Sequence, residues 1–185
     1  MTAITAAQAL TVLREAELVC SVHAVTTALD RLAAAISARF QDCDPLLLVV
    51  MNGGMIPATQ LFTRLHFPLQ IDYVHVTRYR GTTHGGELDW IARPRLSMVD
   101  RTVLVIDDIY DAGTTLKAIV ADLRRTGARE VYSAVLVDKL HDRKEPGFAV
   151  DFVGLHVPDR YVFGCGMDYQ EYWRNLPAIY AVRET

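Results

Sequence analysis

One stretch, residues 103–127 (VLVIDDIYDAGTTLKAIVADLRRTG), restricts the possible fold more than any other part of this chain. Val103 to Asp107 reads as a buried strand whose apolar run stops at two adjacent carboxylates, Asp107 and Asp108. A third carboxylate, Asp111, stands ahead of Ala112-Gly113-Thr114-Thr115. Beyond it Leu116, Ile119, Val120 and Leu123 recur at helical spacing. Strand, acidic turn, Gly-Thr-Thr and helix in that order gather negative charge and anion-gripping groups at one sheet edge.

Backbone N–H groups at a helix N-terminus lack intrahelical partners and sit at the positive end of the helix dipole, so they suit an anion. Gly113 permits close backbone approach, and Thr114 and Thr115 add hydroxyl donors. Neither the Walker pattern nor GxGxxG is present. Asp107 and Asp108 cannot grip phosphate themselves. They can accept hydrogen bonds from a cis-diol, or hold Mg²⁺ directly or through water. The ligand expected here carries both hydroxyls and phosphates. Helix capping by Asp108 or Asp111 is the plainer alternative, but a cap uses one carboxylate and this turn has three.

The rest of the chain alternates apolar runs with helical patterns, which favours an α/β fold with a parallel sheet. Val22, Val25, Leu29, Leu32, Ile36 and Phe40 mark an amphipathic helix near the N-terminus. Residues 46–50 form an apolar strand followed by the tight turn Asn52-Gly53-Gly54 and a helix through Leu61 and Leu65. Further strands are expected at 71–76 and at 131–137, the latter ending on Asp138-Lys139. Between them YRGTTHGG (79–86), with 87–90 after it, has the composition of a mobile hairpin or lid. There is no internal repeat, low-complexity tract or linker, and 185 residues suffice for one core, so a single domain over 1–185 is expected.

Charge and cysteine usage narrow the classes further. A formal net charge of −3 argues against a general nucleic-acid binder. Cys20, Cys43 and Cys165 are odd in number and scattered, which suggests neither a disulfide framework nor a zinc site. No signal-peptide order and no membrane-length apolar run is evident, so no membrane association and a reduced, cytoplasmic location are expected.

The segment VLVIDDIYDAGTTL resembles the phosphoribosyl-pyrophosphate motif of the type I phosphoribosyltransferases. Four further segments resemble those of one subgroup, the hypoxanthine-guanine phosphoribosyltransferases. VVMNGGMIPATQL is similar to its pyrophosphate loop and YRGTTHGGELDW to its lid. VDKLHDRK is similar to its strand with a purine-reading lysine, and VPDRYVFGCGMDYQEYWRNLP to its C-terminal base-binding segment. The resemblance runs from about residue 15 to the end. It implies a mainly parallel central sheet flanked by helices, a core over about 40–150, and a flexible lid hairpin. A small hood is implied from the N-terminal helix region and about 155–185.

The activity implied is purine salvage: Mg²⁺-dependent transfer of phosphoribosyl from phosphoribosyl pyrophosphate to N9 of hypoxanthine or guanine, giving IMP or GMP and pyrophosphate. By resemblance Asp107 and Asp108 hold the ribose hydroxyls, and Asp111 is the catalytic carboxylate near purine N7. Asp111, Ala112, Gly113, Thr114 and Thr115 cradle the 5′-phosphate, and Met51, Asn52, Gly53 and Arg174 contact pyrophosphate. Lys139, Tyr161, Val162 and Asp168 receive the purine: Lys139 donates to O6, Tyr161 stacks, and the Val162 backbone reads the base edge. Asp107, Asp108 and Asp168 are the metal-facing carboxylates. The family's pyrophosphate loop can adopt a cis peptide that is not at proline. A homodimer or homotetramer is the expected assembly.

Some positions depart from the family pattern. Asn52 stands where some relatives have Lys, Cys165 where many have an aromatic residue, and Arg78-Tyr79 where a Ser-Tyr pair is frequent. None removes an essential functional group. Two other readings stay open: a non-catalytic nucleotide sensor that binds RNA, which calls for a basic surface, and a xanthine-preferring enzyme of the same chemistry. Tyr169, Tyr172 and Trp173 are expected to pack rather than to touch ligand.

Overall fold

Leu46, Leu47 and Leu48, like Val103, Leu104 and Val105, are shielded from solvent on both sides of their strands, as befits the centre of a sheet covered on both faces. The computed structural model describes residues 4–78 and 88–183; the lid expected at 79–86 lies outside the described residues, as does Glu87. The chain begins with α1 (Ala6–Glu15), β1 (Glu17–Cys20), α2 (Val22–Phe40), β2 (Leu46–Met51), α3 (Met55–Phe62) and β3 (Gln70–Arg78). It continues with β4 (Leu88–Ala92), β5 (Thr102–Tyr110), α4 (Thr114–Arg125), β6 (Glu130–Leu140), β7 (Phe152–Pro158), β8 (Val162–Phe163) and β9 (Ile179–Ala181).

Six strands form the main sheet in the order β4-β3-β2-β5-β6-β7. Every pairing within it is parallel except β3 with β4. The helices supply two apolar layers. On one face Leu29, Leu32, Ile36 and Phe40 of α2, with Leu61 of α3, pack against Leu47, Val49, Leu104, Ile106 and Leu136. On the other, Leu116, Ile119, Val120 and Leu123 of α4 meet Leu46, Leu48, Val103, Val105 and Val135. Alternate residues of one strand thus feed opposite layers, which is the period-two rule of a strand. A fully buried side chain such as Ile119 is worth about 1.5–3 kcal/mol of burial.

A second, three-stranded antiparallel sheet in the order β1-β9-β8 joins the N-terminal region to the C-terminal segment. The indole Nε1 of Trp173 strengthens that link by donating to the Ala9 carbonyl at 2.9 Å. By contrast α2 packs on the main sheet, chiefly beside β7, so it belongs to the core layer.

Strands β5 and β6 run past the points where their apolar runs stop. The ladder pairs Ile109 with Val137 and Tyr110 with Asp138, so both carboxylates of the Asp107-Asp108 pair lie inside a strand. Strand ends follow backbone pairing rather than side-chain polarity alone. The helix expected through Leu65 stops at Phe62, although Leu65 is still buried beyond it.

The topology also explains where a crevice must open. From β2 the chain crosses outward to β3, and from β5 it crosses the other way to β6. Strand order therefore reverses between β2 and β5, and ligands of open α/β sheets bind outside the carboxyl ends of strands at such a point. Here those ends are Met51-Asn52 and Asp107–Tyr110. No helix among the described residues is long and apolar enough to cross a membrane.

Candidate active site

At the carboxyl end of β5, one oxygen of each paired carboxylate is turned to the backbone. Asp107 Oδ1 accepts the Asp108 N–H at 2.9 Å, and Asp108 Oδ1 accepts the Ile109 N–H at 2.7 Å. Burial pushes both carboxyls above their ordinary range. Asp107 rises furthest, because the neighbouring Asp108 charge adds to burial. For Asp108, hydrogen bonding with Asp107 and from Ile109, together with the Arg174 guanidinium, offsets part of the rise. Two adjacent carboxylates, Asp108 buried and Asp107 half-buried, are costly unless something positive or hydrogen-donating joins them.

The turn after β2 fits against this pair. The Met51–Asn52 peptide is cis. A Cβ placed on Gly53 would lie 2.1 Å from Asp108 Oδ2, so only glycine lets the loop approach the carboxylate this closely. The loop after β5 leads into α4 through Gly113, whose φ of 83° is left-handed and whose absent side chain leaves room for the Tyr110 ring. No side chain caps α4, so neither Asp108 nor Asp111 acts as a cap.

A cavity of about 300 Å³ occupies this junction. Met51, Asn52 and Gly53 line one wall, Asp111, Ala112, Gly113 and Thr115 another, with Asp107, Asp108 and Arg174 between them. Thr114 is the loop residue that does not line it. Its Oγ1 donates instead to Glu145 Oε1 at 2.9 Å, and Lys117 Nζ holds Glu145 Oε2 at 3.2 Å. Glu145 also donates its N–H to the Ala112 carbonyl at 2.9 Å, which straps the loop from outside. Nothing in the sequence flagged Glu145, because it stands about thirty residues beyond the loop it restrains.

A second cavity of about 290 Å³ adjoins the first and shares Asp108, Ile109 and Asp111 with it. Lys139, Tyr161, Val162, Met167 and Asp168 complete its lining. Lys139 lies in β6, largely buried, with Nζ 3.0 Å from Asp111 Oδ2. Tyr161 is exposed on the cavity side and meets the Tyr169 ring edge-on at 5.4 Å. Tyr169 also packs on Phe163 and Tyr172 on Trp173, so this aromatic cluster is packing.

Asp111 is held twice. Besides Lys139, His141 Nε2 lies 2.6 Å from Asp111 Oδ1. Burial alone pulls the Asp111 carboxyl up, but the hydrogen bonds from Lys139 and His141, with the Lys139 charge, outweigh it and leave the group below its ordinary value. His141 was not singled out from sequence, since a lone histidine two residues past a strand lysine carries no periodic or motif signal.

Arg174 bridges the two cavities from the C-terminal segment. Its Nη2 pairs with Asp168 Oδ1 at 2.8 Å and its Nη1 donates to the Gly166 carbonyl at 2.9 Å. Asp168 Oδ2 accepts the Glu171 N–H at 2.8 Å. Among the described residues no three His, Cys, Asp or Glu side chains converge to hold a metal by themselves. All three cysteines are free thiols, and burial pushes Cys165 up to about 12, which keeps it protonated and inert.

The model of the phosphoribosyl transferase domain matches residues 20–171. The chain belongs to the phosphoribosyltransferase family. It is 36% identical to the hypoxanthine-guanine phosphoribosyltransferase of Bacillus subtilis (strain 168) over 149 residues, 80% of this chain and 82% of that protein. It is 30% identical to the hypoxanthine-guanine-xanthine phosphoribosyltransferase of Tritrichomonas foetus, over 83% of this chain and 84% of that one. Among solved structures it is similar to a hypoxanthine phosphoribosyltransferase from Staphylococcus aureus, with a TM-score of 0.87 and 28% identity over 94% of this chain and 95% of that one. The parallel sheet flanked by helices is the fold of this phosphoribosyltransferase family.

Proposed function

We propose that this phosphoribosyltransferase serves purine salvage, joining the phosphoribosyl group of phosphoribosyl pyrophosphate to N9 of hypoxanthine or guanine and releasing pyrophosphate. The observation that carries the reading is the pair of adjoining cavities that share Asp108, Ile109 and Asp111. One is walled by glycine-rich loops suited to phosphates, the other by a lysine and an aromatic ring suited to a purine. A ribose at the shared carboxylates would join them.

In this reading the bond from C1′ to the pyrophosphate oxygen breaks, the bond from C1′ to purine N9 forms, and the proton on N7 leaves for Asp111. Positive charge develops on the ribose ring, so Asp107 and Asp108 both accept from the 2′ and 3′ hydroxyls and stabilise the ring as it becomes cationic. The depressed proton affinity of Asp111 keeps it ionised at neutral pH, ready to accept. Asp111, Ala112, Gly113 and Thr115 receive the 5′-phosphate, with Thr114 bracing the loop through Glu145. Met51, Asn52, Gly53 and the Arg174 fork receive the pyrophosphate.

Lys139 sets the choice of base. Its ammonium has three donors, so it can hold Asp111 and still donate to a 6-oxo group. Adenine presents an amino group there and sets donor against donor. Tyr161 offers a stacking face, and the backbones of Val162 and Asp168 meet the base edge.

Mg²⁺ belongs to the same reading. The residues fit it: two adjacent carboxyls driven up by burial, Asp107 also by the charge of Asp108, gain most from a divalent cation. Mg²⁺ also ordinarily takes one or two carboxylates and completes its shell with substrate oxygens and water. Asp107, Asp108 and Asp168 would supply that protein share, and the ion would neutralise charge on the pyrophosphate as it leaves.

The whole chain is read as one catalytic unit, with the three-stranded sheet and α1 as a small hood. The exposed apolar residues Ile71, Tyr73 and Ile91 on β3 and β4 support a homodimer or homotetramer. Free thiols suit a reducing, cytoplasmic setting. Steady-state rates with hypoxanthine, guanine, xanthine and adenine, at fixed phosphoribosyl pyrophosphate and Mg²⁺, test the function. Turnover of the 6-oxopurines without adenine is expected; preference for adenine, or no turnover of any base, refutes it.

A further inference from the structure

Resting on the reading of Asp111 as the group that takes the purine proton, we propose that His141 is a positioning residue for that carboxylate. It fixes Oδ1 with an Nε2–H donor while Lys139 occupies Oδ2.

The tautomer follows from the hydrogen bonds. The Arg143 backbone N–H donates to His141 Nδ1 at 3.0 Å, and a backbone amide can only donate. Nδ1 must therefore present its lone pair, and the proton of the neutral imidazole sits on Nε2, 2.6 Å from Asp111 Oδ1. Arg143 is itself anchored, its Nη1 and Nη2 each donating at 2.8 Å to one oxygen of Asp159. A relay of contacts thus runs from Asp159 through Arg143 and His141 to Asp111.

Lys139 could not do this work alone. Its ammonium is a point donor on a flexible stem and has a second duty toward the purine O6. The Asp111 side chain is 49% exposed and free to rotate about its last bond if held at one oxygen only. The His141 side chain is only 3% exposed, so its ring is locked by packing and presents one donor in one direction. Two donors on two oxygens fix the plane of the carboxylate, which decides where its proton-accepting lone pair points.

Lys139 and His141 face Asp111 directly, with Arg143 behind. Asp108 and Asp168 line the same cavity, and Asp159 lies beyond Arg143. Losing the His141 donor leaves Asp111 holding a proton more tightly, so the acid limb of the rate profile moves to higher pH.

The test compares His141→Phe, which fills the space of the ring without a donor, with His141→Gln, whose amide N–H reaches about as far as Nε2–H. His141→Phe is expected to lower kcat with hypoxanthine about tenfold to a hundredfold, the cost of a misoriented reacting group. KM for phosphoribosyl pyrophosphate should stay within about twofold while the acid limb moves up, and His141→Gln should recover most of the loss. Wild-type kcat and an unmoved limb in His141→Phe, beside an inactive Asp111→Asn, overturn the positioning role and leave the Asp111 assignment standing. An active Asp111→Asn removes both. Imidazole ¹⁵N spectra of the wild-type, ligand-free enzyme, assigned by the resonance missing from His141→Gln, give a reading independent of whether His141→Phe folds. A neutral Nε2–H tautomer is expected, and an Nδ1–H tautomer overturns the proposal.

Discussion

Gly53→Ala should damage the site through one contact. The φ of Gly53 is not left-handed, so alanine meets no backbone objection there. Its Cβ would fall 2.1 Å from Asp108 Oδ2, 2.5 Å from Cγ and 2.9 Å from Oδ1. Asp108 is buried and its Oδ1 is tied to the Ile109 N–H at 2.7 Å, so the carboxylate cannot simply swing away. Overpacking of this kind costs about 1–3 kcal/mol. For a domain of this size that lowers Tm by roughly 2–12 °C. A displaced Asp108 also misplaces the ribose, and a shift of about 1 Å in a reacting group can cost about a hundredfold in rate. Thermal unfolding of Gly53→Ala, Asp108→Ala and the double variant isolates the contact as a coupling energy. The cost of Gly53→Ala should nearly vanish in the Asp108→Ala background. An equal cost in both backgrounds refutes the argument, because the strain would then lie elsewhere.

Other outcomes follow from the same geometry. Lys139→Ala should weaken use of hypoxanthine and guanine while phosphoribosyl pyrophosphate still binds, measured as the KM of each substrate; unchanged purine kinetics would remove Lys139 from the base pocket. Asp107→Asn should raise Tm at pH 7 in buffer free of divalent cations, because burial and the Asp108 charge raise the Asp107 carboxyl well above its ordinary value. Both carboxyls are neutral at low pH, so wild type loses stability relative to the variant as pH rises from about 4 toward that raised value, and the difference in Tm should close on acidification. Cys165, with its thiol pushed up to about 12, should resist alkylation at pH 8 until the chain unfolds, as counted by mass spectrometry with and without denaturant.

Much of the main sheet was legible because its strands are apolar on both faces and its helices carry a 3.6-residue stripe. Leu116, Ile119, Val120 and Leu123 line the buried face of α4 as their spacing predicts. Of the α2 stripe, Val22 lies exposed at the helix start while the other five predicted positions are buried. Helix α1 was missed although a signature was present: Thr5 and Gln8 form a capping box. Its apolar face is narrow, with only Ala9 buried, so periodicity gave it no weight. Strands β8 and β9 are two and three residues long, too short to show any period, and exist because β9 pairs with β1 on one side and β8 on the other.

The site divides in the same way. Asp107, Asp108, Asp111 and Gly113 were readable because they sit in one contiguous motif, and Met51–Gly53 because topology sets β2 beside β5. Nothing in the sequence around Thr114 shows that Glu145, thirty-one residues on, accepts from its hydroxyl. His141 stayed hidden for a related reason: its importance lies in a contact with Asp111, thirty residues away, that only the β5–β6 register creates.

Asp111 carries the proton transfer on which the proposed chemistry depends. Asp111→Asn keeps the size of the side chain, but its NH2 opposes one of the two donors, Lys139 or His141, and it cannot accept the purine proton. Turnover of hypoxanthine with phosphoribosyl pyrophosphate and Mg²⁺, measured beside circular dichroism and phosphoribosyl-pyrophosphate binding, should show a normally folded, substrate-binding enzyme that has lost most of its rate. Near-wild-type turnover in that variant would contradict the central assignment.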